Sequence, residues 1–287
     1  MKDIIIFNSS HTTTELLEVF YQLLSDKIKN FNIKKVNDIF PIDNNALYII
    51  INSAGYGNRK LKDNEKPIYY ITYQMEPLSE NNLPSDEYIT FLRDALHVWD
   101  YNFKNIYFLK KYNVNNISYL PIGYHESLSH NSDEKNVKDI DVLFLGWDKS
   151  ERRQNVKNLL IKENIKCVFT NSLNHDGMKK IISHSKICIN IHFRDKTFLE
   201  TPRLSILLSS KAFIISEISE DEKLDKEYGK NGIIFCKYDD LIDVIKNYLK
   251  YDGVRDFLSK KSNEWYSTEM KLENLYDIKT SINKYFK

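Results

Sequence analysis

The sequence predicts an α/β protein of two successive parallel-sheet domains, on three observations. Short apolar runs rich in Ile, Val, Tyr and Phe recur along the chain. Between them lie longer stretches whose apolar residues repeat at helical spacing. This βαβ alternation stops at one polar segment near the middle of the chain and then restarts.

In chain order, DIIIF (3–7) reads as a buried strand and TTTELLEVFYQLLSDKI (12–28) as an amphipathic helix capped by Thr12 or Thr13. ALYIIIN (46–52) and PIYYITYQ (67–74) are the next strands. A helix near 85–96, the strand HVWDY (97–101), a helix near 103–112 and the strand NISYLPIG (116–123) complete a first domain over 1–125. YHESLSHNSDEKNVKD (124–139) has no apolar periodicity, and a linker is expected over 126–138. The second domain, 139–267, restarts with the strand DVLFLG (141–146) and the helix SERRQNVKNLLIKEN (150–164). IKCVF, KICINIHF, AFIIS and GIIFC are its further strands, interleaved with the helices HDGMKKIISHS, PRLSILLSS and LIDVIKNYLKY. A last helix, over 268–287, carries Met270, Leu272, Leu275, Ile278, Ile282 and Phe286 on one face and is expected to pack back on the first domain.

The bulk numbers exclude several function classes. The 287 residues, 42% hydrophobic, are enough for two cores and rule out global disorder. With 41 basic against 40 acidic residues, the net charge of +1 gives no electrostatic case for nucleic acid as partner. No run approaches the ~20 apolar residues of a membrane span, and the opening MKDIIIFNSSHTTTE is no signal peptide. Cys167, Cys188 and Cys236 lack metal or redox spacing and read as free thiols, so a cytoplasmic location is expected.

In such sheets ligands sit beyond the carboxyl ends of the strands, and four loops there are unusually polar. NSSHTTTE (8–15) lacks the glycines of a dinucleotide fingerprint, which disfavours NAD or FAD. In it His11 is a candidate base or substrate contact, or an ordinary loop histidine. Glu76 and Asp100 end two strands and are candidates to deprotonate an acceptor hydroxyl, or plain caps. In LGWDKSERRQN (145–155), Gly146 followed by Lys149, Arg152 and Arg153 at a helix start suits a diphosphate. Cations are otherwise unfavourable beside a helix N-terminus. In INIHFRDKTFLETPRLSILLSSKAFIISE (189–217), Pro202 suits a first helical turn with Thr201 as cap. Free N–H groups there, with Arg203, would receive phosphate. Glu200 would accept from a sugar or ribose hydroxyl, and His192 and Arg194 would border the pocket. Asp139 and Asp141 form a D-x-D that precedes a strand and reads as structural, so no metal site is expected.

Taken in order, DVLFLG…ERR, KICINIH, ETPRLSILLSSKAFIISE and GIIFCKYDDLIDVIKNYL, with VWDYNFKNIYFLKK and YLPIGY before them, resemble a family. The chain is similar to the GT-B glycosyltransferases of the group 1 type, over most of its length. That resemblance implies two Rossmann-like domains facing across a cleft, with the nucleotide sugar on the C-terminal one. It implies that Tyr238 and Asp239 lie near the nucleotide, that the acceptor enters over the 8–13 loop, Glu76 and Asp100, and that no metal or other cofactor is needed. The glutamate pair of many retaining members is absent, its places falling at Thr197 and Ser205. Retaining or inverting chemistry is therefore open.

The expectation is glycosyl transfer from a nucleoside diphosphate sugar, UDP or GDP, to a hydroxyl of a glycan, lipid-linked sugar or protein, with peripheral membrane contact allowed. The rival expectations are a nucleotide-sugar epimerase, a non-catalytic sugar or nucleotide binder, and a degenerate transferase kept for interactions.

Overall fold

The computed structural model of the chain describes residues 3–9, 14–80, 82–129, 137–171, 175–272 and 282. The chain divides into two compact units, Met1–Ile122 with Leu272–Lys287, and Gly123–Lys271. Both sheets are parallel throughout. The fold class expected from the sequence is the one observed.

The first unit runs β1 (Asp3–Asn8), α1 (Thr14–Lys27), β2 (Asn32–Val36), β3 (Leu47–Ile51), α2 (Ala54–Gly57), β4 (Tyr70–Gln74), α3 (Asp86–Asp94), β5 (His97–Asp100), α4 (Phe103–Lys111) and β6 (Ile117–Tyr119). Its strand order is β2-β1-β3-β4-β5-β6. β3 and β4 are buried at every position, which is why LYIII shows no polar residue and why Thr72 and Gln74 of YITYQ are hydrogen-bonded, to the Ile50 carbonyl and to Asp100. Their core includes Tyr48, Ile50, Tyr70, Phe91, Leu92 and Val98. α3 is capped by Ser85, whose hydroxyl accepts from the Tyr88 N–H at 3.1 Å, and α4 by Asn102, accepting from Lys104 at 2.8 Å.

The second unit runs β7 (Ile140–Leu145), α5 (Glu151–Lys162), β8 (Cys167–Thr170), α6 (His175–Ser183), β9 (Ser185–Asn190), α7 (Thr201–Ser209), β10 (Ile214–Glu217), α8 (Glu222–Lys230), β11 (Ile234–Cys236), α9 (Leu241–Tyr248) and α10 (Asp252–Glu269). Its order is β11-β10-β9-β7-β8, over a core of Val142, Phe144, Ile187, Ile189, Phe213 and Ile215.

Several expectations change. β2 went unread because NIKKV is an edge strand whose Lys34 and Lys35 pair with Asp3 and Glu18 instead of a core. α2, α8 and α10 were also unread. Met270, expected inside the last helix, is the C-cap of α10. Residues 273–281 and 283–287 of the expected last helix, and the proposed caps Thr12 and Thr13, lie outside the described residues; Leu272 and Ile282 are buried. In the expected linker, Glu126–Leu128 form a 3-10 turn with Leu128 buried. Of the cysteines, Cys188 is buried while Cys167 and Cys236 are partly exposed, all three free.

In each sheet one place separates strands whose connections run in opposite directions, and there the loops part. It lies between β1 and β3 in the first unit and between β7 and β9 in the second.

Candidate functional site

The loops flanking the second switch point are 146–150, after β7, and 191–200, after β9. They hold Gly146, Lys149, His192 and Glu200, with Arg152, Arg153 and Arg203 following on α5 and α7. Gly146 leaves β7 at φ +144°, and a Cβ there would stand 2.9 Å from Arg203 Nη2. Glycine is required on both counts: the left-handed backbone, and the close approach of the guanidinium.

The three arginines are not a free cation cluster. Arg153 is only 3% exposed. Its Nε and Nη2 donate to the Ile191 carbonyl at 3.0 and 2.8 Å, Nη1 to the Trp147 carbonyl at 2.7 Å, and Nη2 also to Glu200 Oε1 at 3.0 Å. Burial, reinforced by Arg203, lowers its pKa to about 10, so it remains charged at neutral pH. Arg153 was expected to hold a diphosphate; it instead bolts the two loops together from within. Arg152 donates to the Glu217 carboxylate, and its guanidinium lies 4.0 Å from the centroid of the Tyr238 ring. The Tyr238 hydroxyl donates to the Arg152 carbonyl at 2.8 Å. Arg203 Nε donates to the Leu145 carbonyl at 2.6 Å, while its Nη1 donates to Asn190 Oδ1 and Glu200. Of the Arg203 nitrogens, Nη2 makes no hydrogen bond to a described residue, and Arg152 Nε is likewise without one.

Glu200 is the hub of this charge. Burial pushes its carboxyl up, but Arg203, His192 and Arg153 outweigh that and hold it well below the usual carboxylate range. His192, expected at the pocket border, is 1% exposed and so faces inward. Its Nε2 donates to the Ile218 carbonyl at 3.2 Å, its main-chain N–H to Glu217 Oε2 at 3.1 Å, and Nδ1 stands 3.7 Å from Glu200 Oε2.

The start of α7 also differs from expectation. The cap position is Glu200, not Thr201, and no side chain caps it. The Thr201 N–H donates to the Leu199 carbonyl at 2.9 Å, Pro202 has none, and the Arg203 N–H donates to the Glu200 carbonyl at 3.1 Å. No free N–H therefore remains in that first turn to receive a phosphate. α5 is the better terminus. Ser150 caps it through the Arg153 N–H at 3.3 Å, leaving the Glu151 and Arg152 N–H groups beside exposed Lys149. Asp239 is exposed in the 3-10 turn Tyr238–Asp240 before α9, and Arg194 is exposed after β9.

In the first unit, Asp100 is fully buried at the end of β5. Oδ2 accepts from Gln74 Nε2 at 2.8 Å, and Oδ1 accepts from the Asn102 N–H at 2.8 Å and Asn105 Nδ2 at 3.1 Å. Burial pushes its pKa to about 8 against these three donors. A carboxyl with no exposed surface cannot meet an acceptor, so the expected base is a structural anchor. Glu76, just past β4, is exposed. Its carbonyl accepts from Gln74 Nε2 and Asn105 Nδ2, each at 2.9 Å. His11 lies outside the described residues.

Glu217, Asn190, Gln74 and Asn105 were missed. A polar residue inside an apolar strand, as Asn190 is in KICINIH, was the available signal, because a core strand keeps such a residue only with partners. Asp139 pairs with Lys166 and His184, and Asp141 with Lys186. Among the described residues no three His, Cys, Asp or Glu side chains are grouped to hold a metal ion. Nor is any described helix long and apolar enough to cross a membrane.

No protein-family model matches the sequence, and no curated protein matches it. Solved structures do. Sucrose-phosphate synthase from Thermosynechococcus elongatus superposes with a TM-score of 0.63 at 9% identity, over 99% of this chain and 98% of that one. An alpha-glucosyltransferase, solved with UDP-glucose and DNA containing an abasic site, gives 0.62 at 12% over 98% of both chains. Anabaena HepE, solved with UDP and glucose, gives 0.60 at 8% over 100% of this chain and 99% of that one. The chain thus has the GT-B fold of two Rossmann-like domains.

Proposed function

We propose that this protein is a glycosyltransferase that moves a sugar from a nucleoside diphosphate sugar, a UDP-sugar in the first instance, to an acceptor hydroxyl. One observation carries the reading. At the switch point of the second sheet, Gly146 lies against Arg203, and exposed Lys149 and the α5 N-terminus follow in the same loop, the groups that suit a diphosphate. The fold is shared nearly end to end with transferases solved with UDP.

In the reaction, the bond from the anomeric carbon to the β-phosphate oxygen breaks and its electron pair leaves with the diphosphate. The acceptor oxygen bonds that carbon, and its proton passes to a base. Lys149 and Arg203 oppose the charge building on the leaving group, the kind of preorganised electrostatics that supplies much of a catalytic rate. With those cations in place, the reading assigns no cofactor or metal ion. Glu76, which is exposed, and His11, outside the described residues, are the candidate bases, now without Asp100. The acceptor is a glycan, a lipid-linked sugar or a protein. For a lipid-linked one, α4 offers a contact surface, exposing Phe103, Tyr107 and three lysines. Three free cysteines fit a reducing cytoplasm.

One feature favours a second reading, a protein that binds nucleotides without turnover: Glu200 and Glu217 neutralise much of the arginine charge. Thermal melts with UDP, GDP, ADP, CMP and dTDP test the site, with Lys149→Ala alongside. A diphosphate at about 100 times its Kd should add about 2.7 kcal/mol, a rise weakened in the variant. Release of UDP from UDP-glucose separates enzyme from binder. No shift with any nucleotide removes the proposed site.

A further inference from the structure

Five side chains at the switch point form a ladder of three rings and two guanidinium groups. The outermost, Trp147, stacks on Phe193 with centroids 5.4 Å apart and planes 10° from parallel. Arg153 lies 5.3 Å from the Phe193 centroid and 4.9 Å from that of Phe144. Arg203 lies 4.9 Å from the centroid of Phe144. The ladder joins the loop after β7 to the loop after β9. Arg153 also holds the Trp147 carbonyl, so the indole is fixed by its backbone and by its stack.

Trp147 nevertheless remains 48% exposed, whereas Trp99 is 0% and Trp265 7% exposed. Half an indole left in water forgoes burial at roughly 25 cal/mol per Å² of apolar surface. A rigid, exposed aromatic face also binds rings at little entropic cost, because its rotamer is already set. This face stands next to Gly146 and two residues before Lys149, where a diphosphate would be met.

We propose that Trp147 is a stacking platform for a ring carried by the diphosphate ligand, with the Phe193–Arg153–Phe144 ladder as its support. The ring is the nucleobase or the sugar, and either presents a flat face to the indole. The inference rests on the nucleotide-sugar reading and adds a binding residue to it. Lys149 and Arg203 meet charge; Trp147 meets shape.

Trp147 is the only well-exposed tryptophan among the three in the chain, so intrinsic fluorescence reports on it selectively. UDP and UDP-glucose are titrated while thermal melts on the same samples record binding independently. Quenching by UDP alone places the nucleobase on Trp147; quenching by UDP-glucose but not UDP places the sugar there. Trp147→Ala should weaken the quenching ligand at least about fivefold, the lower end for loss of one base–aromatic stack. Trp147→Phe, which keeps a ring, should recover most of it. Binding seen in the melts with no change in tryptophan emission, and equal affinity in Trp147→Ala, overturns the platform and leaves the nucleotide reading standing. No binding of UDP or UDP-glucose, or of GDP and GDP-glucose titrated in the same way, overturns both.

Discussion

Asp100 of the first unit and Glu200 of the second are carboxylates held at the loops beyond their sheets, and the two have opposite electrostatic fates. Asp100 is held by amides: the side chains of Gln74 and Asn105 and the main chain of Asn102. Glu200 is held by cations, Arg153 and Arg203, with His192 close by. Burial pushes both upward, yet Asp100 rises to about 8 while Glu200 falls well below the usual range. Burial alone therefore does not decide the charge of a buried acid. Three dipoles do not offset the lost hydration, and two formal charges do.

Removing the charge from Glu200 breaks the comparison most severely. In Glu200→Gln, Arg153 keeps its burial and loses its counter-ion, which should cost about 3–5 kcal/mol. Urea unfolding of the second unit measures it, and a loss under about 1 kcal/mol would mean that the carbonyls of Ile191 and Trp147 suffice to hold Arg153.

Gly146→Ala tests the same network without touching a charge. The new methyl meets Arg203 Nη2 at 2.9 Å on a left-handed backbone, so about 1–3 kcal/mol should be lost. Nucleotide affinity should fall with it, and melts with and without UDP separate the two effects.

Asp100→Asn probes the other side and should act through pH. The folded-state pKa of Asp100 is raised, so its contribution is full below the unfolded value of about 4 and is lost as pH rises towards 8. The wild type should therefore lose stability relative to the variant across that window, by at most about 1.4 kcal/mol per pH unit, and show little further change above it. Parallel slopes for the two proteins between pH 5 and pH 8 would show that Asp100 is ionised throughout.

The fold was legible in the sequence wherever burial covers both faces of an element. LYIII announces a central strand because nothing polar survives there, and in YITYQ the polar Thr72 and Gln74 are buried with hydrogen-bond partners. β2 and α10 were illegible for opposite reasons. β2 sits at an edge and buries little. α10 buries Arg255, Ser259, Ser262 and Asn263, so its inner face does not look apolar. Arg255 donates to the Tyr248 carbonyl and to Asp252, and Asn263 donates to the Leu208 carbonyl at 2.8 Å.

At the candidate site, the residue types were legible and their engagements were not. Arg152, Arg153 and Arg203 were found as cations because they cluster in sequence at two helix starts. Their counter-ions include Glu217, which is 65 positions from Arg152, and sequence order says nothing of such a meeting. The same limit applies to Asp100, whose partner Gln74 comes from the neighbouring strand β4.

The edge strand β2 has one more consequence. An unpaired strand edge is a template on which a stray chain can add itself and start an aggregate. Lys34 and Lys35 follow one another there and so fall on opposite faces, each tied to a neighbouring acid, and their hydrated ammonium groups make that edge a poor seed. At the opposite edge β6 is only three residues long, too short to template a stable partner. Colloidal stability is thus written into the margins of the first sheet, in the same polar residues that hid β2 from its own sequence.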